Sequence, residues 1–450
     1  MLQLVPMKKE AKLINGSVKQ GLFTLAIPMV FGILSILAFN LIDVFFISKL
    51  GTIELAAISF TFPVVIFIGS IAMGLGTGTS VVVSRAIGEG NREKLIKLTT
   101  HGILLSIFIV IIFVILGFLT MRSVFSLLGT PFLMFPLIRE YMNIWYIGMV
   151  FLVVPMVGNN AIRAAGNMVY PAVIMIIGAT VNAILDPIFI FGLFGFPRLE
   201  LKGAAIATVL SRAITLVLSL LVLRYKEKMI DFSKHKIKEI IESAKEILYI
   251  GGPVAMTNVL VPFSIGVLTR IAANFGPRAV ASVGVGTRIE AFALVLVMAL
   301  SSILVPFIGQ NLGANKIERI CRAKHYSVWF SLIWGAVCWI LFLFVGRYIS
   351  YVFTSDPKVA IGIKHYLWIV PIGYGFQGIF MVINASFNAV NKPLLSSALH
   401  VVRFFILYVP LCYIGAKFFG LNGAFWGVCI SNIIAGVLSL LLIKHKFVKC

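Results

Sequence analysis

The sequence has 450 residues, of which 60% are hydrophobic and only 12% charged, and its mean hydropathy is +1.05. These values exclude an ordinary soluble globular protein and indicate a chain that crosses a membrane many times. The formal net charge is +22, which by itself would suggest a nucleic-acid partner. Because the basic residues are concentrated in loops that share one side of the membrane, we expect no nucleic-acid partner.

Apolar segments of about 20 residues, the length that crosses ~30 Å of hydrocarbon as a helix, recur along the whole chain. We predict twelve spans, near residues 21–47, 55–82, 100–120, 141–162, 171–194, 203–224, 247–272, 280–308, 326–345, 365–386, 394–416 and 423–443.

The basic loops predict the orientation of these spans. Most of the 38 Lys and Arg residues lie in segments on the same side as the N-terminus, and the positive-inside rule places that side in the cytoplasm. Both termini are therefore expected to be cytoplasmic, with the protein in the plasma (inner) membrane. Lys8, Lys9 and Lys12 precede no short apolar region with a cleavage site, so we expect no removable signal peptide.

The two halves of the chain look like copies of one six-span unit. A shift of 225 residues brings identical residues together, and a shift of 220 matches Gly203-Ala204 to Gly423-Ala424. The pairs at the shift of 225 include Pro28 with Pro253, Gly88 with Gly313, Tyr141 with Tyr366 and Asn159 with Asn384. Because six is even, the copies must be parallel repeats related by a pseudo-two-fold axis along the membrane normal. The predicted fold is an all-α membrane protein with twelve transmembrane helices.

Three parts follow from this repeat. We predict an N-terminal six-helix lobe over 1–224, a cytoplasmic linker helix over 225–246 and a C-terminal six-helix lobe over 247–450. The linker is rich in lysine with interspersed apolar residues, a pattern typical of an amphipathic helix on the membrane surface. The five cysteines show neither CxxC pairs nor metal-ligand spacing, so we expect reduced thiols and no zinc site.

The fifth span contains the most informative polar residues. Asp186 lies inside it, with Asn182 one helical turn earlier and Pro187 directly after. An ionisable group at membrane depth is costly and usually marks a functional site. The spacing of four places Asn182 and Asp186 on one face of the helix. The alternative is a kinked helix whose Asp is bound by a neighbouring Arg or Ser.

A second acid, Asp43, lies in the first span, three residues after Asn40. The repeat puts Leu268 and Leu411 at the positions equivalent to Asp43 and Asp186, so both acids belong to the first half alone. With Tyr141 and Asn159 of the fourth span, these residues form a candidate polar pocket in the N-terminal lobe.

Two carboxylates in a cavity of low dielectric constant repel each other's ionised form, so one of them could hold a proton near neutral pH. The same oxygens could instead bind a hard cation, with Na⁺ possible at Asp43, Asn182 and Asp186. The sequence leaves H⁺ and Na⁺ both open as the coupling ion, and it predicts no cofactor.

In the second half, Glu290 is the acid at membrane depth. Arg270, Arg288 and Arg403 also fall within or beside predicted spans. We expect Glu290 to pair with an arginine of a neighbouring helix, and the alternative is direct contact with substrate.

Four motifs resemble the MATE family, the multidrug and toxic compound extrusion transporters. They are NLIDVFFISKLG around Asp43, GEGNREK after the second span, IRAAGN from Ile162 and NAILDPIFIFG from Asn182. Their order and spacing match the family over nearly the whole chain. The resemblance implies proton- or sodium-coupled antiport that expels amphipathic, often cationic, compounds through a V-shaped cavity between the halves.

The resemblance also implies residue roles. It places the coupling site of archaeal and DinF-like members at Asp43, Asn182 and Asp186, with Asn159 and Tyr141 nearby and Thr208 in the sixth span. Pro28 matches the family's first-span proline, at which bending is expected. The acids that NorM-like members carry in the seventh and tenth spans are absent here, which favours a DinF-like branch.

The sequence therefore predicts a monomeric secondary antiporter, not an enzyme, that is embedded in membrane lipid and exports small amphipathic, cationic organic compounds in exchange for H⁺ or Na⁺. The alternative is a flippase for a lipid-linked or anionic amphiphile, in which Arg270, Arg288 and Arg403 would face the central cavity. An intramembrane aspartyl enzyme or a channel fits less well, since no substrate-recognition motif or filter-like loop is visible.

Overall fold

The computed structural model describes residues 11–232 and 236–447, and every regular element in this part of the chain is a helix. The α-helices are α1 (Val18–Ser48), α2 (Thr52–Gly88), α3 (Arg92–Leu127), α4 (Phe135–Ala164), α5 (Val169–Phe191), α6 (Glu200–Leu221), α7 (Ile237–Ala273), α8 (Pro277–Ala293), α9 (Val295–Gly313), α10 (Ile317–Phe353), α11 (Pro357–Ile369), α12 (Tyr374–Ala389), α13 (Pro393–Val401) and α14 (Val409–Lys446).

Eleven helical stretches in the described residues are long and apolar enough to cross a membrane. The last of them, Pro393–Ile443, has 51 residues and so is about 76 Å long at 1.5 Å per residue, more than twice the hydrocarbon thickness. It is broken at Phe419 and Gly420, where Gly420 has a φ of 64°. This stretch therefore holds the eleventh and twelfth predicted spans.

The contacts divide the chain into two compact units. Unit 1 contains Ile27–Ala255, whereas unit 2 contains Leu13–Ala26 and the chain from Met256 onward. In unit 1, α4 packs against α2, α3 and α6, and in unit 2, α12 packs against α9, α10 and α14. Because α4 and α12 occupy equivalent positions in the repeat, the same span is central in both units.

These units differ from the predicted lobes at their boundaries. No separate helix fills the described residues of 225–246, because α6 ends in a π-helical turn over Val222–Lys226 and α7 runs continuously from Ile237 into the seventh span. The apolar residues between the lysines continue the pattern of that span, which the linker prediction overlooked. Both α1 and α7 contribute residues to two units, and Pro28 and Pro253 lie close to the change in each helix.

Both halves keep the glycine of the repeated Gly-Ala pair because the backbone of another residue lies against it. A Cβ atom at Gly203 would overlap the carbonyl group of Phe189, and one at Gly423 would overlap the carbonyl group of Gly415. Only glycine allows the two backbones to approach this closely. The repeat thus preserves a packing contact, as expected for positions that the fold requires.

One expectation about the cysteines is wrong. Cys321 is disulfide-bonded, whereas Cys338, Cys412 and Cys429 are free and buried. Sequence spacing detects cysteine pairs that are close along the chain, and Cys321 has no such neighbour.

Candidate functional site

The fifth span holds its two polar residues entirely inside the protein. Asn182 and Asp186 of α5 are each 0% exposed, and the Nδ2 atom of Asn182 donates a hydrogen bond of 3.0 Å to Oδ1 of Asp186. This is the geometry that a spacing of four on a helix predicts. The helix continues through Pro187 to Phe191.

Several acceptor oxygens around this pair have no hydrogen-bond donor. They belong to Asp43 (Oδ1), Asn182 (Oδ1) and Asp186 (Oδ2), and all are buried without a partner in the described part of the chain. Asn159 also has a buried oxygen without a donor, but it lies about 27 Å along α4 from Tyr141, and no contact among the described residues joins it to the acids. A buried acceptor without a partner costs about 1–3 kcal/mol. A proton on a carboxylate or a cation among these oxygens would supply what they lack.

Asp43 reaches the same region from α1. Its carboxylate interacts electrostatically with that of Asp186, and the buried hydroxyl of Tyr141 in α4 lies within range of both acids. Three helices of unit 1 therefore bring Asp43, Tyr141 and Asp186 together, with Asn182 bonded to Asp186.

Arg212 of α6 is a member of this site that was not predicted from the sequence. Its guanidinium interacts electrostatically with Asp43 and lies over the ring of Phe39, 4.5 Å from the ring centroid. Its Nε atom is buried without a hydrogen-bond partner among the described residues. The signal was present, because Arg212 is a charged residue inside a span, four residues after Thr208.

No hydrogen bond among the described residues joins the remaining predicted residues, Asn40, Thr208 and Pro28, to the two acids. Asn40 is exposed on α1, and no hydrogen bond joins its side chain to a described residue. Thr208 is partly buried in α6, where its backbone carbonyl accepts a hydrogen bond from Ser211. At Pro28, α1 remains helical.

The expected ion pair of Glu290 is wrong. Oε2 of Glu290 accepts a hydrogen bond of 2.5 Å from the hydroxyl of Tyr366, and Oε1 accepts one of 3.0 Å from Nε2 of Gln377. No arginine of the described residues forms a salt bridge with it. The partner of Glu290 depends on which helices are neighbours in the fold, and the sequence alone does not give those neighbours.

Comparison with known proteins identifies the class and then the family. The fold and the acids inside its helices are those of a multi-pass membrane transporter built from two equivalent halves. A family model described as MatE matches residues 28–188 and 253–414, and the two matches begin 225 residues apart, the shift of the internal repeat. The chain belongs to this family, the MATE transporters that its motifs resemble.

Individual relatives cover almost the whole chain. A Shewanella oneidensis protein named FAD transporter is 38% identical over 432 residues, which are 96% of this chain and 95% of that protein. Multidrug export protein MepA of Staphylococcus haemolyticus is 24% identical over 430 residues, 95% and 94% of the two chains. A crystal structure of a mutant of the Vibrio cholerae MATE transporter VcmN is 31% identical, with a TM-score of 0.90 over 95% of this chain and 98% of that one. MATE structures have twelve transmembrane helices in two repeats, so the predicted fold is confirmed.

Proposed function

We propose that this protein is a secondary antiporter of the plasma membrane that exports amphipathic organic compounds and is driven by an ion bound at Asp43 and Asp186. It acts as a monomer with both termini in the cytoplasm. The observation that carries the proposal is that Asp43, Asn182 and Asp186 each have a buried acceptor oxygen without a donor among the described residues.

These oxygens account for ion binding in chemical terms. Carboxylate and amide oxygens suit a proton or a hard cation such as Na⁺, and the positive charge of Arg212 partly offsets the negative charge of Asp43. Antiport requires that binding of the ion at these acids and binding of the cargo favour different conformations of the protein. Bending of α1 near Pro28, which lacks a backbone donor, would move the segment that carries Asp43.

Reconstituted vesicles test the ion and the acids together. A pH gradient at equal Na⁺ concentration and a Na⁺ gradient at equal pH are imposed separately, and the accumulation of ethidium is measured. We expect one gradient to drive accumulation in the wild type and neither to do so in the Asp186→Asn variant. Asp356→Asn is the matched control, because that acid lies outside the membrane-spanning helices and caps α11. Gradient-driven accumulation by Asp186→Asn at the wild-type level would refute the proposal.

A second cargo is favoured by a specific observation. The relative named FAD transporter is 38% identical to this chain, whereas multidrug export protein MepA of Staphylococcus haemolyticus is 24% identical. We propose an anionic flavin dinucleotide as the alternative cargo. An anion that leaves a cell with a negative interior gains about 2.3 kcal/mol per charge for each 100 mV, whereas a cation must be exported against the same potential.

The sign of this electrical term separates the two cargoes. A potassium diffusion potential is imposed across vesicles without any pH or Na⁺ gradient, and movement of FAD and of ethidium is followed. If FAD is the cargo, a potential that is negative on the side of origin accelerates its exit. If FAD does not move under any potential, the flavin alternative is excluded.

A further inference from the structure

Three membrane-spanning stretches of unit 2 lose regular α-helical geometry near the same group of side chains. The chain breaks at Leu294 between α8 and α9, forms a 3₁₀ turn over Val370–Gly373 and forms a π-helical turn over Val402–Tyr408. The equivalent residues of the first half, 225 positions earlier, lie inside the uninterrupted helices α2, α4 and α5. Interruptions of this kind inside helices frequently mark functional sites.

The backbone groups freed by two of these interruptions have been given new partners. The indole of Trp334 donates to the carbonyl oxygen of Ala293 over 2.7 Å, and that of Trp339 donates to the carbonyl oxygen of Trp368 over 3.2 Å. An unsatisfied carbonyl is costly inside a membrane, so these bonds stabilise the irregular geometry. The second half therefore contains irregular backbone, stabilised by side-chain hydrogen bonds, at positions where the first half is regular α-helix.

Next to the interruptions, hydrogen bonds connect an arginine to a carboxylate through two amides. Arg403 Nη2 donates to Asn432 Oδ1 over 2.7 Å, Asn432 Nδ2 donates to Gln377 Oε1 over 3.1 Å, and Gln377 donates in turn to Glu290. The two amides keep the opposite charges apart. A purely structural ion pair would place the charges in direct contact, so this arrangement leaves donors of Arg403 available.

The guanidinium of Arg403 is fixed in position on two sides. Asn432, which is 1% exposed, holds one nitrogen, and the ring of Phe380 lies 4.7 Å from the guanidinium carbon. No other hydrogen bond joins Arg403 to a described residue, and the residue is partly, not fully, buried. A planar guanidinium with free nitrogens is suited to a phosphate group, which it can bind with two parallel hydrogen bonds.

We propose that Arg403, positioned by Asn432 and Phe380, binds the phosphate group of an anionic organic compound in unit 2. The inference rests on the proposed function in its second form, the export of a phosphate-bearing cargo. The repeat supports a role confined to this half, because the residue equivalent to Arg403, 225 positions earlier, is Gly178.

Equilibrium binding tests the site without any ion gradient. The purified protein is placed in phosphatidylcholine nanodiscs, and the fluorescence of FAD and of riboflavin is titrated. The two share one ring system, but only FAD carries a pyrophosphate. We expect Arg403→Gln to weaken FAD binding about tenfold or more and riboflavin binding less than about twofold. Arg403→Lys, which keeps the charge but not the planar group, should recover part of the loss.

Arg347→Gln is the matched control, since Arg347 is an exposed arginine of the same unit without a hydrogen bond to a described residue. Gel filtration and thermal unfolding report whether each variant is folded. A second set of nanodiscs contains phosphatidylglycerol, which distinguishes a lipid phosphate from a free one. One outcome is that phosphatidylglycerol raises the unfolding temperature of the wild type but not that of Arg403→Gln, while neither protein binds FAD. This result would support the phosphate site and exclude the flavin cargo.

Equal FAD binding by Arg403→Gln and wild type would overturn the inference. A wild type that binds FAD no more tightly than riboflavin and shows no preference for phosphatidylglycerol would overturn it as well. Loss of coupling in the Asp186→Asn variant leaves these binding results unchanged, so the two proposals fail independently.

Discussion

Removal of the Glu290 carboxylate should lower the free energy of unfolding, because two side chains donate hydrogen bonds to it. In Glu290→Ala, the hydroxyl of Tyr366, a residue that is 1% exposed, and the amide of Gln377 both lose their acceptor. An unsatisfied buried donor costs about 1–3 kcal/mol, and Tyr366 is such a donor, whereas Gln377 is only partly buried and adds less. The substitution should therefore lower the free energy of unfolding by about 1–4 kcal/mol. Glu290→Gln retains one acceptor oxygen and should cost about half as much.

The free energy of unfolding can be measured by reversible titration with SDS in mixed micelles, followed by tryptophan fluorescence. Glu318→Gln is the control, because the Glu318 side chain is 78% exposed and Arg322 is its one ion-pair partner among the described residues. We expect a change below about 0.5 kcal/mol. Should Glu290→Ala unfold within 0.5 kcal/mol of the wild type, the hydrogen-bond network described for unit 2 would be refuted.

Two further predictions concern acid stability and helix packing. The hydrogen bond from Arg278, at 2.7 Å, holds the pKa of Asp356 below its ordinary value of 3.8. A carboxylate whose pKa is lowered in the folded protein stabilises it at pH values above the ordinary pKa, and this stabilisation is lost as the pH falls through the lowered pKa. The melting temperature of Asp356→Asn should therefore fall less than that of the wild type between about pH 5 and pH 3. In Gly203→Ala, the added Cβ meets the carbonyl of Phe189 and should cost about 1–3 kcal/mol in the SDS titration, whereas Gly252→Ala, which meets open space, should be nearly neutral. An equal effect of the two glycine substitutions would contradict the packing described.

Much of the fold could be predicted because a membrane imposes simple rules. A span must be apolar for about 20 residues, so the hydropathy of the sequence predicts the positions of the helices. An ionisable group at membrane depth is costly and is usually functional, so the charged residues inside spans pointed to Asp43 and Asp186. The second rule applied equally to Arg212, which sequence reasoning passed over although it lies in the sixth span.

The interruptions of unit 2 were harder to predict. Pro371 and Gly373 do signal the 3₁₀ turn, but Leu294 and the π-helical turn over Val402–Tyr408 carry no helix-breaking residue. Tertiary contacts such as the bond from Trp334 to the backbone decide them. Glu290 illustrates the same limit, since the identity of its partners depends on which helices are neighbours.

The most direct test of the coupling site compares two activities of one vesicle preparation. Exchange of labelled for unlabelled cargo needs binding and conformational change but no net ion movement, whereas accumulation needs the ion. The account predicts that Asp43→Asn and Asp186→Asn retain exchange and lose the accumulation driven by a gradient of one pH unit, which is at most about tenfold for each proton exchanged. Accumulation by both variants at the wild-type level, under either a pH or a Na⁺ gradient, would contradict it.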